Sequence, residues 1–374
     1  MTDQEIIECS LGALGAPGEE CEDLYLVKKG GRVLLALPRE KEAALMALRL
    51  YQPQRFIAKV FAQAITLAVR LGIQSFFFKR VVREDGGQEP EKDAGEGLQG
   101  SRGSAGILLG NPDHLVRRAI VSFRAQNGFE VAKIAFGKEG VKLIEREVQT
   151  ITGLPKGRSG IPEILGTHHR EEIGVMRMPY LNGGIFKTND PEIYINLLSD
   201  WLLDEARCPL GSFAEWEKIE SVLSALLQRE DDVSARVNFC ARLERLKDLS
   251  VKPSIRHGDF APWNLIQDQT GRVLALDWEW GVPRGVSGFD VIHFLTQEMK
   301  LVQRLTPEEI RSAVDAKLQT EPFAGYLEAA GWAGSLDDLF LAAVAFGASS
   351  GLDGSEELLR ISSLANLARA KAIS

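Results

Sequence analysis

The sequence predicts an α+β chain: a region of short antiparallel strands, then a mostly helical region, with a further α/β segment ahead of both. Three observations carry this reading. Across residues 106–178, strand-length apolar runs alternate with turn residues and one helical stretch intervenes. From residue 191 onward, apolar residues recur at helical spacing. A polar, glycine-rich stretch, residues 85–105, sets both apart from residues 1–84.

Within residues 1–84, runs 24–28 and 32–37 read as strands joined by Lys29-Gly30-Gly31, a hairpin turn. Residues 40–51 follow as a helix with Ala43, Ala44, Met46, Ala47, Leu48 and Leu50 on its apolar side. A second helix covers 55–71, with Gly72 as its C-cap. No chemical motif lies here. The segment reads as a small module or an extension of the next region, with a scaffolding or protein-partner role. Residues 85–105 lack the apolar side chains that offset ordering entropy and read as a flexible linker.

Strands are expected at 107–109, 116–123 and 129–136, the last two joined by Gln126-Asn127-Gly128. A helix at 141–150 carries Glu145 and Glu147. Strands at 161–167 and 172–178 flank His168-His169-Arg170-Glu171. Two adjacent histidines at a hairpin tip, with no cysteine near, read as solvated rather than metal-binding. Helices are expected at 191–206, 212–228 and 233–249, with Trp201 and Trp216 in the core. Others follow at 289–300 and at 307–318, the latter capped by Thr306.

Composition narrows the function. The 374 residues suffice for two or three domains, and 45% hydrophobic with 26% charged content is that of a soluble globular protein. A net charge of −8 speaks against nucleic-acid binding, which needs a basic surface. Cys9, Cys21, Cys208 and Cys240 are scattered, without zinc-ligand spacing, and read as reduced thiols of a cytoplasmic protein. Asp3, Glu5 and Glu8 open the chain with no basic residue among them, unlike a signal peptide. The longest apolar stretch, 56–78, is broken by Lys59, Gln63 and Arg70. It reads as a buried or amphipathic helix, with membrane-surface contact as the alternative, and no integral membrane segment is expected.

The chemistry concentrates in His257-Gly258-Asp259-Phe260-Ala261-Pro262-Trp263-Asn264, followed after a polar turn by Leu276-Asp277-Trp278-Glu279. Two carboxylates and one amide come to neighbouring loops. A hydroxyl nucleophile needs a carboxylate to orient it and accept its proton. Nucleotide phosphates need Mg²⁺, a hard ion that takes carboxylate and amide oxygens. Protein kinases place an Asp and an Asn with four residues between them, then a further Asp on a second loop. Asp259, Asn264 and Asp277 repeat that order.

These motifs, with Phe289-Asp290-Val291-Ile292 after them, resemble the aminoglycoside phosphotransferase and choline kinase group. The resemblance implies a bilobal protein kinase-like fold. Residues 106–180 would be the nucleotide-binding small lobe, and 181–374 the helical large lobe with the catalytic loop and acceptor site. It implies ATP and Mg²⁺ as cofactors. Asp259 would be the catalytic base, Asn264 and Asp277 the metal ligands, and His257 and Asp290 buttresses of the catalytic loop. Lys133, in Glu130-Val131-Ala132-Lys133-Ile134-Ala135, resembles the kinase lysine that reaches the α and β phosphates. Glu147 is its expected partner and Glu145 the alternative. Backbone groups near Met178 and Tyr180 would meet adenine. The phosphate loop departs from the glycine-rich consensus, with Gly110-Asn111-Pro112 in its place and Arg117 or Arg118 as added charge.

The expected function is transfer of the γ-phosphate to a hydroxyl of a small molecule: an amino alcohol, an aminoglycoside-like sugar or another sugar. The alternative is a catalytically weak nucleotide-binding scaffold acting through residues 1–84. A protein substrate fits less well, because only residues 278–289 separate Asp277 from Asp290, too few for an activation segment. Glu279 would face a cationic acceptor or pair with Arg284.

Overall fold

The computed structural model describes residues 1–14, 24–51, 53, 56–81, 104–110, 116–126, 128–170, 172–186, 190–228, 233–351 and 355–360. Most of the 85–105 linker, residues 111–115 of the expected phosphate turn, Asn127, Glu171 and Cys21 lie outside them. The chain divides into two compact units. The first holds residues 1–152, 162–185 and 266–271, and the second the remainder.

The first unit opens with helix α1 (Asp3–Ala13), whose N-terminus is closed by a capping box between Thr2 and Glu5. Strands β1 (Leu24–Lys29) and β2 (Arg32–Pro38) form the expected hairpin. Gly30 and Gly31 both take positive φ, as a two-residue hairpin turn matched to strand twist requires. Helices α2 (Lys41–Leu50), α3 (Phe56–Arg70) and α4 (Gln74–Phe77) come next. Then come β3 (Lys79–Val81), β4 (Ala105–Leu109), β5 (Arg118–Ala125) and β6 (Gly128–Phe136). Helix α5 (Lys138–Gly153), β7 (Gly166–Arg170), β8 (Ile173–Pro179) and β9 (Gly183–Ile185) complete the run.

One antiparallel sheet takes eight of these strands, in the order β3-β1-β2-β4-β5-β6-β8-β7. The N-terminal segment is therefore an extension of the sheet rather than a separate module, joined by the pairing of Leu35 and Ala36 with Leu108 and Ile107. The alternation of side chains along β1 explains why the extension holds. Leu24 and Leu26 face a core shared with Ile6, Ile7 and Leu11 of α1. Tyr25 and Val27 face the other side, against Ala44, Ala47 and Leu48 of α2 and Ile65 and Val69 of α3. A Cβ at Gly106 would lie 2.2 Å from the Ala47 Cβ, so α2 seats on β4 only because that residue is glycine.

The second unit contains α6 (Pro191–Asp200), β10 (Cys208–Pro209), α7 (Trp216–Leu227), α8 (Val233–Asp248) and β11 (Ser250–Val251). Strands β12 (Pro253–Arg256), β13 (Leu265–Asp268), β14 (Val273–Ala275) and β15 (Val282–Val286) follow. Residues 266–268 of β13 pair with β9 and belong to the first unit. Helices α9 (Phe289–Gln297), α10 (Pro307–Leu318), α11 (Phe323–Ala330) and α12 (Leu336–Ser349) come next, and residues 355–360 are helical as well.

Helix α10 matches its expected span and starts on a capping box between Thr306 and Glu309. Helix α6 is shorter than expected. It ends at Asp200 because the backbone beyond it pairs with β12: Leu203 N–H donates to the Pro253 carbonyl, and Ile255 N–H to that of Trp201. A unit built on an eight-stranded antiparallel sheet and a mostly helical unit are the α and β parts expected from the sequence.

Candidate active site

In the first unit, Lys133 stands at the middle of β6 with its ammonium 2.6 Å from Oε2 of Glu147 on α5. Both side chains are buried. On α5 the inward residues are Gly140, Ile144, Glu147 and Ile151, one face of a helix, whereas Glu145 is exposed. Glu147 is thus the partner and Glu145 is not. A buried ammonium and carboxylate each satisfy the other, and neither tolerates loss of its mate.

Tyr180 is engaged elsewhere. Its N–H donates to the Phe129 carbonyl (3.0 Å), and its hydroxyl donates to the Met46 carbonyl of α2 (3.1 Å). Burial pushes that phenol up to about 12, so it stays protonated. Bonded pairs alternate along an antiparallel ladder, so Met178, opposite Val131, also turns its backbone groups toward β6. The backbone N–H and carbonyl groups of Met178 and Tyr180 are thus spent on β6. The Pro179 carbonyl and Leu181 N–H are the groups that alternation turns the other way, beyond the last β7 bond, from Leu165 N–H to the Arg177 carbonyl.

In the second unit, the loop after β12 is held from α9. Oδ2 of Asp290 accepts the His257 N–H at 2.7 Å, and Oδ1 accepts the Gly258 N–H at 3.0 Å. Both donors reach one carboxylate because Gly258 adopts φ +85°. A Cβ there would lie 2.4 Å from the Trp280 carbonyl oxygen. The His257 ring is fully buried among Trp201, Phe260 and Trp278. Its Nε2 lies 2.9 Å from the Leu276 carbonyl, and its Nδ1 accepts the Asp259 N–H at 3.3 Å. One nitrogen donating and one accepting is the neutral tautomer. Burial lowers the pKa of the ring, against the opposing pull of Asp290, Asp259 and Asp277.

Asp259 has both oxygens occupied and about a third of its side chain open. Oδ2 accepts Nδ2 of Asn264 at 3.0 Å, and Oδ1 lies 2.9 Å from Nε2 of His293. Nδ2 of Asn264 also donates to the Asp259 carbonyl (2.8 Å). The loop is tied to the second carboxylate segment by Leu276 N–H donating to the Asn264 carbonyl (2.8 Å). Asp277 follows at once, in the left-handed region at φ +72°. A non-glycine residue held there carries strain of the kind that accumulates at functional sites.

Among the described residues, no three His, Cys, Asp or Glu side chains gather as a metal-binding cluster. The donor set that fits Mg²⁺ is smaller. With Nδ2 of Asn264 committed to Asp259, the amide oxygen Oδ1 remains as a hard donor, and the tie through Leu276 sets Asp277 beside it. Two oxygen ligands, with phosphate and water completing an octahedron, are the usual Mg²⁺ arrangement.

His293 is the residue that motif reading passed over. Its signal was its position, three residues after Asp290 and so on the same face of α9. Arg284 pairs with Glu205 (3.0 Å), so the expected Arg284–Glu279 pair does not form, and Glu279 is buried. His168 and His169 lie in β7 and join no metal-binding group among the described residues.

No family model matches the chain, and no curated protein matches it. Among solved structures, the chain is similar to the aminoglycoside phosphotransferase APH(4)-Ia at 14% identity and a TM-score of 0.43, over 71% of this chain and 92% of that one. It is similar to choline kinase LicA from Streptococcus pneumoniae at 18% identity and a TM-score of 0.35, over 67% and 90%. It is similar to an ethanolamine kinase of Plasmodium vivax at 9% identity and a TM-score of 0.40, over 71% and 81%.

Proposed function

We propose that the protein transfers the terminal phosphoryl group of ATP to a hydroxyl of a small molecule. The observation that carries this is the Asp259 carboxylate: oriented at both oxygens, still reachable from solvent, and tied through Asn264 to the Asp277 segment.

The acceptor hydroxyl donates its hydrogen bond to Asp259. As its oxygen bonds to the terminal phosphorus, the proton passes to that carboxylate, the bond to the bridging oxygen breaks, and ADP leaves. Asn264 and Asp277 would hold Mg²⁺, which would supply positive charge against the nucleotide phosphates. Lys133, fixed by Glu147, grips the phosphates that are not transferred. The Pro179 carbonyl and Leu181 N–H serve the adenine edge. Positioning and fixed charge supply most of the acceleration. The solvent-open side of the Asp259 carboxylate is where the acceptor hydroxyl would approach.

Calorimetric titration with ATP, with and without Mg²⁺, tests this reading. Metal-dependent binding that Asp277→Ala abolishes supports it, and a screen of amino alcohols and sugars by ADP release then finds the acceptor. Absence of binding to ATP or GTP under every metal condition overturns it.

A further inference from the structure

Residues 43–83 contain seven basic residues and no acidic one, in a chain whose net charge is −8. Helix α3 lies within this stretch and is apolar on two faces. One face is spent in the core, through Ile65, Ala68 and Val69. The other points outward: Ile57, Val60, Ala64, Leu67 and Leu71 recur at helical spacing and are all exposed, Ile57 by 82%. Phe76 and Phe77 of α4 continue the patch, with 83% and 67% of their surface open. A helix folded for water alone keeps one apolar stripe. A second contiguous one marks a contact surface.

We propose that α3 and α4 dock on an anionic lipid surface, with the apolar stripe and the two phenylalanines entering the headgroup boundary. The charge pattern selects this occupant. Lys59 and Arg70 fall on the α3 flank beside the stripe, and Lys79 directly follows the phenylalanines. All three are exposed, and their long stems let the cations reach lipid phosphates while the apolar residues go deeper. No helix among the described residues is long and apolar enough to cross a membrane, so the contact is peripheral. The proposal stands independently of the phosphotransfer reading.

The test is co-sedimentation of the full chain with vesicles of phosphatidylcholine alone and of phosphatidylcholine with phosphatidylserine. Binding is expected only to the anionic vesicles and is weakened by salt. Phe76→Ser with Phe77→Ser abolishes it, as does Leu67→Gln with Leu71→Gln, while the melting temperature holds because these side chains are already in water. Lys59→Gln with Lys79→Gln lowers partitioning roughly thirtyfold, a factor of about five per basic charge. Three results overturn the proposal: no sedimentation with anionic vesicles, equal binding to neutral ones, or a dimer in solution that the phenylalanine variants dissociate.

Discussion

Nε2 of His293 lies 2.9 Å from Oδ1 of Asp259. It comes from the helix whose Asp290 accepts the His257 and Gly258 N–H groups. One helix, α9, therefore holds the loop twice: by its main chain through Asp290 and by the Asp259 side chain through His293. His293→Ala should lower turnover by up to about 10²-fold, the scale of a misplaced reacting group. Nucleotide affinity should hold, and His293→Gln, which still donates, should recover part of the loss. Asp259→Asn should cost about 10²–10⁴-fold, the usual share of a general base. ADP release and calorimetry read the two quantities separately. Full activity in Asp259→Asn ends the role assigned to it.

The Lys133–Glu147 pair makes a stability prediction that needs no substrate. Removing one partner takes a 2.6 Å ion-pair contact from a charge that stays buried, a loss of up to about 3–5 kcal/mol. Glu147→Ala should therefore destabilise strongly in urea titration, whereas Lys133→Met with Glu147→Leu should restore most of the stability and still fail to bind ATP. An exposed pair would show neither pattern.

Asp290→Ala orphans the His257 and Gly258 N–H groups of the loop after β12, at about 1–3 kcal/mol each. The variant should melt earlier and lose turnover together. A normal melting curve with normal turnover would mean that the loop keeps its shape without this carboxylate.

His257 sets the direction of a pH effect. Burial disfavours the imidazolium, so its folded pKa lies below the ordinary 6.5. Between those two values the unfolded chain binds more protons here than the folded one, so stability rises with pH. The contribution is complete above 6.5 and is lost as pH falls through that value toward the lowered one. Thermal unfolding of the native protein should weaken on acidification in this window, and His257→Gln should flatten that part of the profile. Equal slopes would remove His257 as the cause.

Much of this was legible in the chain. The Gly30-Gly31 turn, the start of α10 at Thr306 and the order Asp259, Asn264, Asp277 rest on turn chemistry, capping and spacing, which are short-range. The choice between Glu147 and Glu145 was legible too, since only Glu147 shares a helical face with Ile144 and Ile151. The engagement of Tyr180 was not. It depends on Phe129 and Met46, which lie 51 and 134 positions away. Helix α6 likewise stops where β12 claims its next backbone groups, which local helix propensity cannot foresee.

The sequence by itself determined the order and spacing of Asp259, Asn264 and Asp277 and where many regular elements begin, because periodicity and turn preference act over a few residues. Tertiary structure alone decided that β1–β3 widen the sheet, that His293 meets Asp259, and that α3 keeps a second apolar face uncovered. Each depends on which distant donor, acceptor or surface arrives first in the competition for a partner, and that competition is settled only when the whole chain packs.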